Sequence, residues 1–155
     1  MSAYAEGLKL LARRELSESQ LRQRLARRGF APDAIADALT RLKADRHLDD
    51  ERVAGAIARL ESGIRRRGPL RIRQRLAAAG ITGALADRAI DEVMEGVDME
   101  VLLAAALDRR LRDGSIADER TMGRLFRQLT SQGFEPDRVM RLLRTRRRAT
   151  PDADG

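Results

Sequence analysis

Apolar residues recur every three or four positions along most of this chain, and glycine or proline interrupts them at intervals. Leu21, Leu25 and Ala26 share a helical face behind Ser17-Glu18-Ser19-Gln20, whose Ser-x-x-Gln spacing is that of a capping box. The run stops at Gly29. Phe30-Ala31-Pro32-Asp33 restarts a helix with Ile35, Leu39 and Leu42 as its inner stripe. Asp49 is a good N-cap for a third run, Val53–Ile57–Leu60–Ile64. Pro69 fits the first turn of the next helix, where no intrahelical N–H bond is needed; Ile72, Leu76 and Ala79 point inward until Gly80 stops it. Thr82 starts a helix to about Glu95, Asp98 one to about Asp113, and Asp118 one to Gln132. Pro136 opens the last, which ends near Arg148. With an opening helix over residues 3–14, the pattern predicts nine helices and no strand. The fold class is all-α.

Aligning the glycine stops exposes a repeat. "LRQRLARRGF" (21–30), "IRQRLAAAGI" (72–81) and "LFRQLTSQGF" (125–134) carry apolar residues eight and four positions before each glycine and one after it. The glycines Gly29, Gly80 and Gly133 are 51 and 53 residues apart, so each unit spans three helices. The expected units are 1–46, 47–97 and 98–148, with 149–155 as a disordered tail lacking any apolar stripe. A unit of about 50 residues is marginal alone, so the units are expected to stack into an elongated, curved array.

Composition narrows the chemistry. The 155 residues include no cysteine, which excludes disulfides and thiolate metal sites. His47 is the sole histidine, so a His-based metal site or a Ser-His-Asp triad lacks parts. Leu48-Asp49-Asp50 offers two adjacent carboxylates that cannot converge on one point, and capping explains them better. No glycine-rich phosphate loop is present. The expectation is a non-enzyme without cofactor or metal. The opening "MSAYAEGLKLLARR" is too short and too charged an apolar run for a signal peptide or membrane span, so a soluble cytoplasmic protein, with no membrane partner, is expected.

Charge supplies the positive clue. The net charge is +7, and of 31 basic residues only Lys9 and Lys43 are lysine. Arginine forks grip phosphate or carboxylate bidentately, although GC-rich coding also replaces lysine by arginine. The segment 64–81 holds six arginines and no acid. Arg71, Arg73 and Arg75 are expected to face outward, with Arg65, Arg66 and Arg67 just ahead of a helix N-terminus whose free N–H groups favour phosphate. "RQRLA" at 73–77 occurs verbatim at 22–26, which adds Arg22 and Arg24. A second acid-free run, "RVMRLLRTRRR" (138–148), adds Arg141, Arg144 and Arg147. These eleven arginines form the candidate surface for nucleic acid or an acidic protein. The stretch 82–100 is acidic, with Asp87, Asp91, Glu92, Glu95, Asp98 and Glu100 against Arg88 alone, and its carboxylates are the competing partners for those arginines. A helix-turn-helix base reader survives only for the C-terminal helix, because the other second helices carry Asp33, Asp37, Asp87, Asp91 and Glu92 where phosphates would lie.

"RRELSESQLRQRLARRGF", "LDDERVAGAI" and "RGPLRIRQRLAAAGI", with a weaker third unit, resemble the RecX family, regulators of the RecA recombinase. The resemblance covers about residues 4–146, most specifically Leu48-Asp49-Asp50-x-Arg52 followed by Gly68-Pro69-x-Arg71-Ile72. It departs at Val53, where the family usually has an aromatic, and at Arg67, where a Gly-Tyr pair is common. The resemblance implies three tandem three-helix units. It further implies a protein that binds RecA–DNA filaments, lodges in the helical groove and curbs strand exchange and ATP hydrolysis, acting in recombination and DNA repair; a monomer is the expectation, although the sequence does not fix the oligomeric state. Single- and double-stranded DNA would then be weak, sequence-nonspecific partners. Two rivals are a nonspecific DNA-binding protein acting without RecA and a purely protein-binding helical scaffold.

Overall fold

The computed structural model describes residues 1–111 and 115–149. Among these it contains nine α-helices and no strand. They are α1 (Ala3–Arg13), α2 (Glu18–Arg27), α3 (Pro32–Ala44), α4 (Asp50–Ser62), α5 (Pro69–Ala78), α6 (Gly83–Met94), α7 (Met99–Arg110), α8 (Glu119–Gln132) and α9 (Pro136–Ala149). The expected extension of α7 to Asp113 falls outside the described residues, and α7 itself closes at Arg110. Of the expected tail, Ala149 is the last residue of α9 and 150–155 lie outside the described residues.

The helix starts follow their caps. Ser17 Oγ accepts from the Gln20 N–H at 3.1 Å while Gln20 Oε1 accepts from the Ser17 N–H at 3.0 Å, completing the capping box. Asp49 Oδ1 accepts from the Glu51 and Arg52 N–H groups at the head of α4, and Asp98 does the same for Glu100 and Val101 at α7. Asp118 Oδ1 accepts from the Thr121 N–H at 2.7 Å to begin α8. That hydrogen bond holds the Asp118 carboxyl below its usual range.

Contacts group the chain into two units, residues 1–60 with 73–93 and residues 61–72 with 94–155. The dividing line therefore runs through α4 and α5. In the first unit, α1, α2 and α3 enclose Leu10, Leu16, Leu21, Leu25, Leu39 and Leu42. In the second, α7, α8 and α9 enclose Leu103, Leu107, Leu125, Leu129, Phe134 and Leu143. Each such side chain contributes about 1.5–3 kcal/mol on full burial. The predicted stripe Ile72–Leu76–Ala79 is buried, as predicted.

Two predicted stripes need correction. In α4, Val53 is buried and Ile57 half-buried, but Leu60 is exposed and Ile64 is 83 % exposed. The helix ends at Ser62, so Ile64 lies beyond it. Its inner face is made instead by the small residues Ala54, Gly55 and Ala58, followed by Glu61, whose buried carboxylate pairs with Arg65 at 3.0 Å. In α2, Ala26 is exposed and only Leu21 and Leu25 face the core.

The glycine stops are contact points as well as punctuation. In the first unit, Ser17 Oγ donates to the Ala79 carbonyl, and Gly80 (φ 77°) lies so close to Ser19 that a Cβ there would overlap it. In the second unit, the Gly68 N–H donates to the Gln132 carbonyl at 2.9 Å and the Leu70 N–H to the Gly133 carbonyl at 3.0 Å. A Cβ on Gly68 would overlap the Gly133 carbonyl. The buried Gln132 side chain completes this joint, donating to the Arg66 carbonyl at 2.7 Å and accepting from Arg110 at 3.0 Å. By contrast, a Cβ on Gly29 would meet nothing within 4 Å.

Candidate nucleic-acid interface

The eleven candidate arginines divide between the two units. Arg22, Arg24, Arg73 and Arg75 belong to the first; Arg65, Arg66, Arg67, Arg71, Arg141, Arg144 and Arg147 belong to the second. The acid-free segment 64–81 is thus shared out, four arginines to one unit and two to the other.

Four of the eleven are held by carboxylates. Arg22 pairs with Glu18 at 3.1 Å, Arg65 with Glu61 at 3.0 Å, Arg73 with Asp87 at 2.8 Å and Arg147 with Glu119 at 2.5 Å. Asp87 lies in the acidic stretch 82–100, so for Arg73 the competing intramolecular partner is real. Both members of that pair are half exposed, however, and such pairs contribute only about 0–1 kcal/mol. A phosphate could therefore replace the carboxylate at little cost. Arg71 and Arg75 also carry interactions of their own. Arg24, Arg66, Arg67, Arg141 and Arg144 have no acidic partner among the described residues.

One expectation is overturned. The N-terminus of α5 does not offer free N–H groups to a phosphate. Leu70 donates to Gly133, and Arg71 and Ile72 both donate to the Gly68 carbonyl at 3.1 Å. Pro69 has no N–H at all. The arginines around this turn can act only through their side chains.

The second unit also groups arginines that sequence inspection missed. Arg109 and Arg110 of α7 line an open cleft of about 640 Å³ with Arg124 and Gln128 of α8. On the other side of α8, a cleft of about 590 Å³ runs between α8 and α9. Met122, Phe126 and Met140 line it, and Arg127, Arg144, Arg147 and Arg148 surround them. Arg124 and Arg127 were overlooked because each is one arginine per turn on an ordinary amphipathic helix. Only the approach of α7 and α9 collects them into clusters. The sequence carries no common signal for the two, because Arg124 lines the cleft toward α7 and Arg127 the cleft toward α9. Among the described residues, no group of three or more histidines and acids could hold a metal ion. No described helix is long and apolar enough to cross a membrane.

Residues 3–42 match the family model for the first three-helix domain of RecX, and residues 49–90 match that for its second three-helix domain. "Regulatory protein RecX" of Syntrophotalea carbinolica is 38% identical over 136 residues, covering 85% of this chain and 88% of the relative. The chain belongs to the RecX family. The RecX protein of Halorhodospira halophila is likewise 38% identical over 136 residues, or 85% of this chain and 80% of that one. A crystal structure of regulatory protein RecX superposes with a TM-score of 0.73 at 25% identity, covering 92% of this chain and 70% of that chain. The crystal structure of RecX from Lactobacillus salivarius gives a TM-score of 0.66 at 18% identity, covering 92% and 95%, and supports the fold alone. The relatives carry the name of a regulatory protein, and RecX is not a known enzyme family. The two RecX domain models end at residue 90, whereas both arginine-lined clefts lie on α7, α8 and α9.

Proposed function

We propose that this chain is a cytoplasmic regulator that binds RecA and RecA–DNA filaments and restrains strand exchange and ATP hydrolysis in recombination and repair. The observation that supports the reading best is membership of a family of regulatory RecX proteins, combined with arginines on both units, Arg24 in the first and Arg141 and Arg144 in the second, that have no acidic partner among the described residues. No bond is made or broken by this chain. It acts by occupancy: several weak arginine contacts, linked along one chain, multiply into avidity for a filament that repeats its own surface. Weak DNA phosphate contacts add a salt-dependent, sequence-indifferent component. The protein acts as a monomer in this reading.

The test is DNA-dependent ATP hydrolysis by the cognate RecA, measured with increasing amounts of the protein. The expected outcome is a saturable fall in rate, with no hydrolysis by the protein alone. An undiminished RecA rate at saturation sinks the proposal. Binding to DNA with and without RecA, at matched salt, identifies the rival of a RecA-independent DNA-binding protein, which would bind equally in both cases.

A further inference from the structure

The cleft between α8 and α9 has a composition that phosphate contact alone does not require. Phe126 is one of only three phenylalanines and is half-buried at the cleft wall, whereas Phe134 is fully in the core. Met122 and Met140 extend the apolar lining on either side. Gly123 sits in the middle of α8 beside them. Glycine there costs about 1 kcal/mol relative to alanine, yet an added Cβ would meet only the Arg127 guanidinium at 3.4 Å. Packing therefore does not demand this glycine, and its effect is to leave the cleft open next to Phe126.

The rim is cationic. Arg127, Arg144 and Arg148 have no acidic partner among the described residues, and Arg147 is tied to the exposed Glu119. An apolar aromatic wall bordered by three unpaired guanidinium groups fits a ligand with a flat apolar face and closely spaced negative charges. A single nucleic-acid strand has both, because unpaired bases can stack and the phosphates follow at each step. A duplex hides its base faces and would use only the rim. An acidic peptide would satisfy the arginines but leaves the aromatic wall to whatever side chain it happens to carry.

We infer that the α8–α9 cleft is a single-stranded nucleic-acid subsite, in which an unpaired base stacks on Phe126 and the flanking phosphates meet Arg127, Arg144 and Arg148. The inference rests on the proposed function only in taking DNA as a partner. It assigns the preference for single strands to the third three-helix unit.

The test uses the full chain and three fluorescein-labelled probes of equal length: oligo-dT, the same strand with abasic sugars, and a duplex. The wild type should bind oligo-dT about tenfold more tightly than the abasic strand, since a stacked base is the only difference between them. Phe126→Leu should bring the two to near parity, Phe126→Tyr should keep the preference, and Arg144→Gln with Arg148→Gln should weaken all three probes alike. Parity of the oligo-dT and abasic strands in the wild type overturns the inference, and this arm holds even if Phe126→Leu fails to fold. Poly-L-glutamate that competes only when Phe126 is present, with no strand preference, also overturns it and assigns the cleft to acidic protein. RecA ATPase is read on the same samples. Suppression by the wild type without strand preference removes the inference and leaves the proposed function; the reverse result removes the proposed function and leaves the inference.

Discussion

Helices α2 and α5 carry the same five residues, Arg-Gln-Arg-Leu-Ala, yet they begin in opposite ways. The α2 helix starts on its own resources, with Ser17 and Gln20 exchanging hydrogen bonds. Position 68 of α5 corresponds to position 17 of α2 at the 51-residue offset, and it is a glycine. Its N–H and that of Leu70 are bonded to the last carbonyls of α8. The first copy is closed on itself at its head, and Ser17 still reaches out to accommodate the end of α5 through the Ala79 carbonyl. The second copy has no side-chain cap and depends on the third. The repeated stripe therefore encodes how deep a helix sits, while the residue at its head encodes which neighbour completes it. A functional consequence follows: an arginine-flanked helix start already filled by protein carbonyls is not an anion hole.

The largest effect should come from the shared stripe. Leu25 and Leu76 are equivalent and both fully buried. Leu25→Ala and Leu76→Ala should each cost about 2–5 kcal/mol in urea denaturation. A loss below about 1 kcal/mol at one of them would break the equivalence of the two copies.

Next come the arginines of α5. Replacing Arg71, Arg73 and Arg75 together with Gln should weaken filament inhibition on the order of 100-fold, if each supplies about 1 kcal/mol of charge-assisted contact. Helicity should persist, because Gln is a good helix former. Unfolding of this variant would instead make the arginines structural partners, as the Arg73–Asp87 pair already is in a small way. The equivalent change at Arg22 and Arg24 sharpens the comparison, since it removes two charges from the self-capped copy.

A smaller effect, of more diagnostic sign, is expected at the helix heads. By local rules alone Gly68→Ser should improve α5 by supplying a cap. In the fold it should destabilise by about 1–3 kcal/mol, because the new Cβ would lie against the Gly133 carbonyl and 2.9 Å from the Phe134 nitrogen. A rise in melting temperature would show that the α5–α8 joint is not as close as described. Ser17→Gly should cost a similar amount for a different reason, leaving the buried Ala79 carbonyl without its donor.

These sites also mark what the sequence made legible. Caps and breakers such as Ser17, Pro69, Gly80 and Gly133 act locally, so nine helices could be placed from spacing alone. The stripe Ile72–Leu76–Ala79 was readable for the same reason. The α4 stripe was misread because period and hydrophobicity favour Ile57, Leu60 and Ile64, whereas the small residues Ala54 and Ala58 occupy the inner face. The packing demand at Gly68 was not legible, since the carbonyl that forbids a side chain there belongs to Gly133, 65 positions away. The arginine clusters share that difficulty. Arg127 and Arg144 belong to different helices, and only packing makes them two sides of one cleft.

The smallest effect concerns the third copy, α8, which is capped by a group that titrates. Asp118 accepts from the backbone N–H of Thr121, and that bond holds its carboxyl below the ordinary value of 3.8. A carboxyl depressed in the folded state adds stability that is fully present above its unfolded pKa and is lost as pH falls through its folded value. The cap of α8 should therefore be indifferent to pH from neutrality to about 4, then weaken below the ordinary carboxylate range. Ser17 in α2 has no proton to gain, so its cap should not change over the same interval. The measurement is the amide proton shift of Thr121 against that of Gln20, followed from neutral pH into acid. Thr121 should move at low pH while Gln20 stays nearly constant, and Asp118→Asn, which caps without titrating, should abolish the movement. Equal titration of both amides would show that the two shifts report general acid unfolding, and the contrast between a serine-capped and an aspartate-capped copy would fail.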